Sequence, residues 1–248
     1  MRYKLFSALV YFITMTSCTA KSNDPQAELE HWFLNPTPHT NVFASRQEKQ
    51  TFILVEEHEP KGRLTFTPNL GSCAAFSPHA FFDLHTKEIA LAIANRYCQV
   101  FLTNTQHRHN RLNSGELADP AKLKYGLLFY APLAYAKVNP KAKIYQFHGF
   151  SKEKRYSSAG KLADLILSTG NSKSEHTLVP LSTCLAQLPF VVKRYPSQVK
   201  ELGGTKNVLA EQLGDTGQFV HVEMSLGLRL QLIKSSALME RFSQCFKP

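Results

Sequence analysis

Negative charge is what this sequence has least of. Against 29 Lys+Arg stand 19 Asp+Glu, a formal net charge of +10 over 248 residues. A surplus of that size favours acidic partners: polyanionic cell-wall material, carboxylate-rich peptides or anionic lipid. Nucleic acid is set aside, because no long basic cluster and no nucleic-acid-binding motif occurs. No apolar run is long enough to cross a bilayer; Leu5 to Thr16 falls short of the about 20 residues a spanning helix needs. No phosphate loop is present either, since Leu202-Gly203-Gly204-Thr205 lacks the lysine and the spacing. Without a Gly-x-Ser-x-Gly elbow, nothing marks Ser168 as a nucleophile. Internal repeats and low-complexity segments are also missing. What remains, 43% hydrophobic and 19% charged residues, is a globular composition in a length that suits one large domain.

The first twenty residues read as a targeting segment. Arg2 and Lys4 precede the apolar stretch, the layout of a signal peptide. Two cleavage readings stay open: an imperfect lipoprotein box at Met15-Thr16-Ser17-Cys18, with Cys18 lipidated and the protein membrane-attached, or cleavage after Ala20 and ordinary secretion. Either way the expected location is the periplasm or cell envelope. With Cys18 lipidated or removed, four cysteines remain, an even count that an oxidising compartment turns into up to two disulfides. The preferred pairs are Cys73–Cys98 and Cys184–Cys245; the alternative is buried thiols.

Residues 21 to 50 are polar and proline-punctuated, and read as a spacer with one short helix around Ala27 to Phe33. The folded body, residues 51 to 248, is expected to begin at the β-rich run Thr51 to Val55. Strand-like runs follow at Leu64 to Thr67, Val100 to Leu102, Ala142 to Phe147, Leu165 to Leu167, Phe190 to Val192 and Gln218 to Met224. Helical patterns cover Thr86 to Tyr97, Thr177 to Leu188 and Ser236 to Phe246. Strands interleaved with helices imply an α/β domain with a mostly parallel or mixed sheet covered on both faces.

Against that frame a few polar residues stand out. His79 and Asp83 are one helical turn apart in Pro78-His79-Ala80-Phe81-Phe82-Asp83, and His148 ends a strand-like run in Gln146-Phe147-His148-Gly149. Two imidazoles and a carboxylate are the usual protein half of a hydrolytic Zn²⁺ site. Ligands of open sheets gather at the carboxyl ends of strands, where His148 falls. In Phe219-Val220-His221-Val222-Glu223-Met224, alternation puts His221 and Glu223 on one face. Glu223 is the candidate general acid/base, since a carboxylate beside an activated water can take its proton and return it to the leaving amine. Arg108, in a compact basic cluster after a strand, and Arg229 are candidate anchors for a substrate carboxylate, with His221 beside them as a further substrate-binding residue. Arg111 reads as solvated surface charge.

These segments, with Asp83-Leu84-His85-Thr86, Gln106-His107-Arg108 and His221-Val222-Glu223-Met224, occur in an order that resembles the zinc-dependent amidohydrolases related to N-formylglutamate amidohydrolase and phage-type poly-γ-glutamate hydrolase. The resemblance spans roughly Phe52 to Leu230. It implies a three-layer α/β sandwich around a mixed sheet, similar to zinc carboxypeptidases. It also implies His79, Asp83 and His148 as metal ligands, Glu223 as general acid/base and Arg108 as a carboxylate-binding residue. One departure matters: carboxypeptidases use His-x-x-Glu, whereas here the spacing is His-x-x-x-Asp with Phe82 at the usual acid position. The shorter Asp83 needs a closer backbone, so His85 stands as the alternative third ligand.

The expectation is therefore an exported zinc-dependent hydrolase cleaving an amide bond in an acidic peptide-like or γ-glutamyl substrate, such as a cell-wall component. The competing expectation is a non-catalytic envelope lipoprotein that binds anionic polymer through a basic face.

Overall fold

Runs of Val, Ile, Leu and Phe too short for helices pair edge to edge in the computed structural model, which describes residues 24–248. The targeting segment, with Cys18, lies outside the described residues. The chain opens with α1 (Pro25–Leu34), started by the Asp24 cap and Pro25 in the first turn. An antiparallel run follows: β1 (Ala44–Glu48), β2 (Thr51–Glu56) and β3 (Gly62–Phe66). Then come β4 (Gly71–Ser77), α2 (Thr86–Tyr97), β5 (Cys98–Asn104), α3 (Leu127–Val138) and β6 (Lys143–Phe150). After α4 (Ser158–Leu162) the order is β7 (Leu165–Ser168), α5 (Val179–Leu185), β8 (Val192–Arg194), α6 (Val208–Leu213), β9 (Phe219–Ser225), α7 (Leu226–Lys234) and α8 (Ser236–Gln244).

The nine strands form one mixed sheet in the order β1-β2-β3-β5-β4-β6-β9-β7-β8. Its centre, β5-β4-β6-β9, is parallel, while β1-β2-β3 and the β9–β7 pair are antiparallel. One face is covered by α1, α3 and α6 over Leu64, Phe76, Ile144 and Phe219. The other carries α2, α5, α7 and α8 over Phe101, Phe147, Val222 and Met224. This is the expected three-layer α/β sandwich.

The spacer reading of residues 21 to 50 is corrected. α1 buries Leu29, Trp32 and Phe33 in the core, where Trp32 meets Phe52 edge-on and Phe66 at a tilt, and β1 pairs with β2 in register. The segment looks polar because α1 shows solvent its other face and β1 is an exposed sheet edge. The strand expected at Phe190 to Val192 lies two residues later, as β8. The helix expected over Thr177 to Leu188 is a 3₁₀ turn followed by α5. Both disulfides form as preferred: Cys73–Cys98 joins β4 to the start of β5, and Cys184–Cys245 joins α5 to the residue after α8.

Candidate metal centre

Alternation along β6 and β9 builds half of the site. Ile144 and Phe219 point into the core under α3, so Gln146, His148, His221 and Glu223 share their face, further toward the carboxyl ends of the strands. The register sets His148 beside Glu223 and Gln146 beside His221. β4 supplies the other half. Past Ser77 the chain makes one helical turn, in which the Asp83 N–H donates to the His79 carbonyl at 2.8 Å. That turn is pinned by the Ala80 N–H donating to Asn104 Oδ1 at the end of β5 (2.9 Å), and by the Thr86 hydroxyl donating to the Asp83 carbonyl (2.8 Å).

The two halves meet. His79 Nδ1 is 3.1 Å from Asp83 Oδ2 and 3.1 Å from His148 Nδ1, and His148 Nδ1 is 3.7 Å from Asp83 Oδ2. All three residues are buried. Donors on a four-coordinate zinc, with bonds of about 2.0–2.1 Å, stand about 3.3 Å apart. The three edges bracket that value, so the donor set fits the ion. Asp83 completes it, not His85, which caps α2 in a left-handed conformation (φ 68°) outside the cluster.

Proton placement agrees. His79 Nε2 lies 2.8 Å from Asp119 Oδ1, and a carboxylate only accepts, so the neutral ring carries its proton on Nε2. Its Nδ1 accepts from Arg108 Nη1 at 3.0 Å, and a guanidinium only donates. A carboxylate behind a ligand histidine is the usual device for fixing ring orientation and raising donor strength. Burial alone would lower the His79 pKa, but its hydrogen bonds to Asp119 and Asp83 outweigh that and raise it. Burial likewise works against ionising Asp83, yet the two imidazoles hold its pKa well below the carboxylate range. Asp119, despite burial, is held at about 2 by His79 and Arg108. His148 is lowered to about 4, first by burial and then by the neighbouring His221, so its ring is neutral at pH 7. The centre thus offers carboxylate oxygens and, at His148, a neutral nitrogen lone pair to a cation.

Glu223 is buried, with Oε1 3.1 Å from His221 Nε2 and Oε2 without a hydrogen-bond partner among the described residues. His221 stacks on His148 with ring centroids 4.4 Å apart. Both line a cavity of about 350 Å³ over the centre, whose lining also includes Arg108 and the exposed Lys122 and Lys206, with Lys122 Nζ donating to the Lys206 carbonyl at 2.7 Å. Arg108 is also tied through Nη2 to Asp119 and lies over the Phe82 ring. Arg229, expected to touch substrate, is instead engaged beneath the site. It donates to the Met224 carbonyl at 3.2 Å and to the Leu84 carbonyl, gripping the loop after Asp83, and its guanidinium fills the space a Cβ at Gly149 would occupy. Arg111 donates to the Gly115 carbonyl at the surface. Ser168 is no nucleophile, since its hydroxyl donates to the buried Gly203 carbonyl.

Sequence reasoning missed Asp119, Asn104, Gln146 and Asn207, and the Gly203–Lys206 loop that walls the cavity. Gln146 could have been found, because it alternates with His148 on the same strand face. No periodic signal marks the others.

Comparison with known proteins shows a shared fold. No family model matches the chain, and no curated protein matches it. Among solved structures it is similar to N-formylglutamate amidohydrolase from Ralstonia eutropha JMP134, with a TM-score of 0.52 at 13% identity, over 75% of this chain and 95% of that one. A bacteriophage poly-γ-glutamate hydrolase aligns over 84% of this chain and 88% of its own, at 12% identity and a TM-score of 0.42. At such identities the likeness concerns architecture alone.

Proposed function

We propose that the protein is an exported zinc-dependent amidohydrolase acting on an acidic, peptide-like or γ-glutamyl amide. One observation carries the reading: His79 Nδ1, Asp83 Oδ2 and His148 Nδ1 all lie within 4.8 Å of one another, and His148 is the register partner of Glu223, whose Oε2 has no hydrogen-bond partner among the described residues. His79, Asp83 and His148 would hold the ion, which when bound polarises a carbonyl and acidifies water to a pKa of about 7.

The chain's own residues do the rest. Glu223 takes a proton from the water that adds to the scissile carbonyl carbon, and delivers it to the amine nitrogen as the C–N bond breaks. Because His221 occupies its Oε1, the proton travels on Oε2. Burial would raise the Glu223 pKa, but the His221 hydrogen bond outweighs it and lowers it, so the carboxylate is ionised and ready to act as base. Lys122 and Lys206 in the cavity lining bind the substrate's carboxylates, and Arg108, its Nη1 and Nη2 already held by His79 and Asp119, adds positive charge beside them. The two disulfides support an oxidising compartment, and no helix among the described residues is long and apolar enough to cross a membrane.

The test is metal content and amide hydrolysis together. Purified protein should hold one zinc per chain, hydrolyse γ-glutamyl or N-acyl-glutamate amides, and lose activity on chelation. Wild-type protein that takes up no zinc on addition overturns the proposal and leaves polymer binding through the basic cavity lining as the surviving function.

A further inference from the structure

His148 can present Nδ1 to a cation only while the ring proton sits on Nε2. For His79 that placement is enforced by a carboxylate. His148 has none behind it. Its Nε2 faces the side-chain amide of Gln146, with Oε1 at 2.8 Å, and an amide has one accepting and one donating end. Which end is turned toward the ring decides which nitrogen carries the proton.

Asn207 makes that decision. It caps α6, its Oδ1 accepting the Leu209 N–H at 3.0 Å. A backbone N–H only donates, so this oxygen is fixed in place and the Nδ2 amide must point the other way. There it donates to Gln146 Oε1 at 2.5 Å. Turning Gln146 over would set two NH₂ groups face to face. The arrangement has a visible cost: Gln146 Nε2 is buried with no partner among the described residues. A lone buried donor is destabilising. Reversal would not recover it, because the NH₂ would then meet the Asn207 amide.

We infer that Asn207 and Gln146 form a polarity relay, running from the α6 backbone to the His148 ring, that locks the ligand in its Nε2–H tautomer. Both are positioning residues of the metal centre. The inference rests on the metal-site reading above, but its first consequence is visible without metal.

Asn207→Asp keeps the size and the helix cap while replacing the donor with an acceptor. Gln146 then turns its NH₂ toward both neighbours, and His148 must move its proton to Nδ1. Long-range ¹H–¹⁵N spectra of metal-free protein should show that tautomer switch, and competition titration should show zinc affinity reduced about 10–100-fold. Gln146→Glu accepts from both neighbours, so it should keep the Nε2–H tautomer and bind zinc within a few-fold of wild type. A merely space-filling role predicts the reverse ranking, with the buried new charge of Gln146→Glu doing the damage. Should Asn207→Asp fail to fold, Asn207→Ser still caps α6 but leaves Gln146 undirected, and a mixture of tautomers is expected. An unchanged His148 tautomer in these Asn207 variants overturns the relay even if zinc binds normally. A switched tautomer in a protein whose wild type takes no zinc upholds the relay and removes the metal reading instead.

Discussion

Asp119 sits forty residues from His79 in sequence and 2.8 Å from it in space, with Arg108 neutralising its other oxygen. In the proposed zinc site its work is orientation and donor strength. Asp119→Asn should therefore lower zinc affinity about 10–100-fold while leaving far-ultraviolet circular dichroism unchanged, as measured by competition titration. Glu223→Gln asks a different question. Its side chain supplies no ligand atom, so zinc content should stay at one per chain while kcat falls about 10²–10⁴-fold. A Glu223→Gln enzyme with near wild-type kcat would take the proton-transfer role away from this residue. At this scale the sequence was readable wherever a period carried the information. A helical turn predicted that His79 and Asp83 would meet, and strand alternation put His221 beside Glu223. It could not choose between Asp83 and His85, because that choice depends on the left-handed backbone at His85. Asp119 and Asn207 were invisible, being single residues in irregular chain brought in by topology.

Among the elements, α3 shows where pattern reading stops. Leu127, Leu128, Ala131, Leu133, Ala134, Tyr135 and Ala136 are all buried, so the helix has no polar stripe to reveal its period, and Pro132 argues against it locally. β4 is hidden for a related reason. Gly71-Ser72-Cys73-Ala74-Ala75-Phe76-Ser77 is built mostly of small residues because it lies between β5 and β6 with both faces covered. The start of α3 also carries a pH response. No side chain of its own caps it; Glu56 on β2 accepts the Leu127 N–H at 2.8 Å instead. Burial raises the Glu56 pKa to about 7, only partly offset by that hydrogen bond. The folded-state pKa thus lies above the unfolded value of 4.5. The cost of ionising Glu56 is absent below about pH 4.5, grows as pH rises, and is complete above about 7. Glu56→Gln should accordingly stabilise the protein at pH 8, by about 1–2 kcal/mol after solvent screening, and change little at pH 4.5. Denaturant midpoints at the two pH values check this; equal gains at both would refute it.

For the molecule as a whole, charge and cross-links make separate predictions. Shortening the Debye length from about 30 Å at 0.01 M salt to about 8 Å at 0.15 M should depress kcat/KM for a polyanionic substrate. An uncharged amide analogue should be nearly indifferent, and equal salt effects on both would argue against electrostatic capture at the basic cavity lining. Cys73–Cys98 ties together the starts of β4 and β5, the strand ends opposite the metal centre. Replacing both cysteines by alanine should cost about 2–4 kcal/mol in chemical denaturation and leave zinc affinity intact at 25 °C. The α/β class, the mixed sheet and the room for two disulfides were legible from the chain, because interleaved elements and an even thiol count are properties of the whole sequence; the count does not choose among the three possible pairings of four cysteines, of which the preferred one formed. The strand order was not, since nothing local announces that β9 inserts between β6 and β7.

That insertion has a consequence for the newborn protein. β6 must wait for a neighbour made some seventy-five residues later, and Glu223, the proposed proton carrier, arrives only with that neighbour. In the proposed enzyme the two imidazoles and Asp83 are made well before Glu223, so the chain gains its proton carrier only once its final quarter has slotted between β6 and β7.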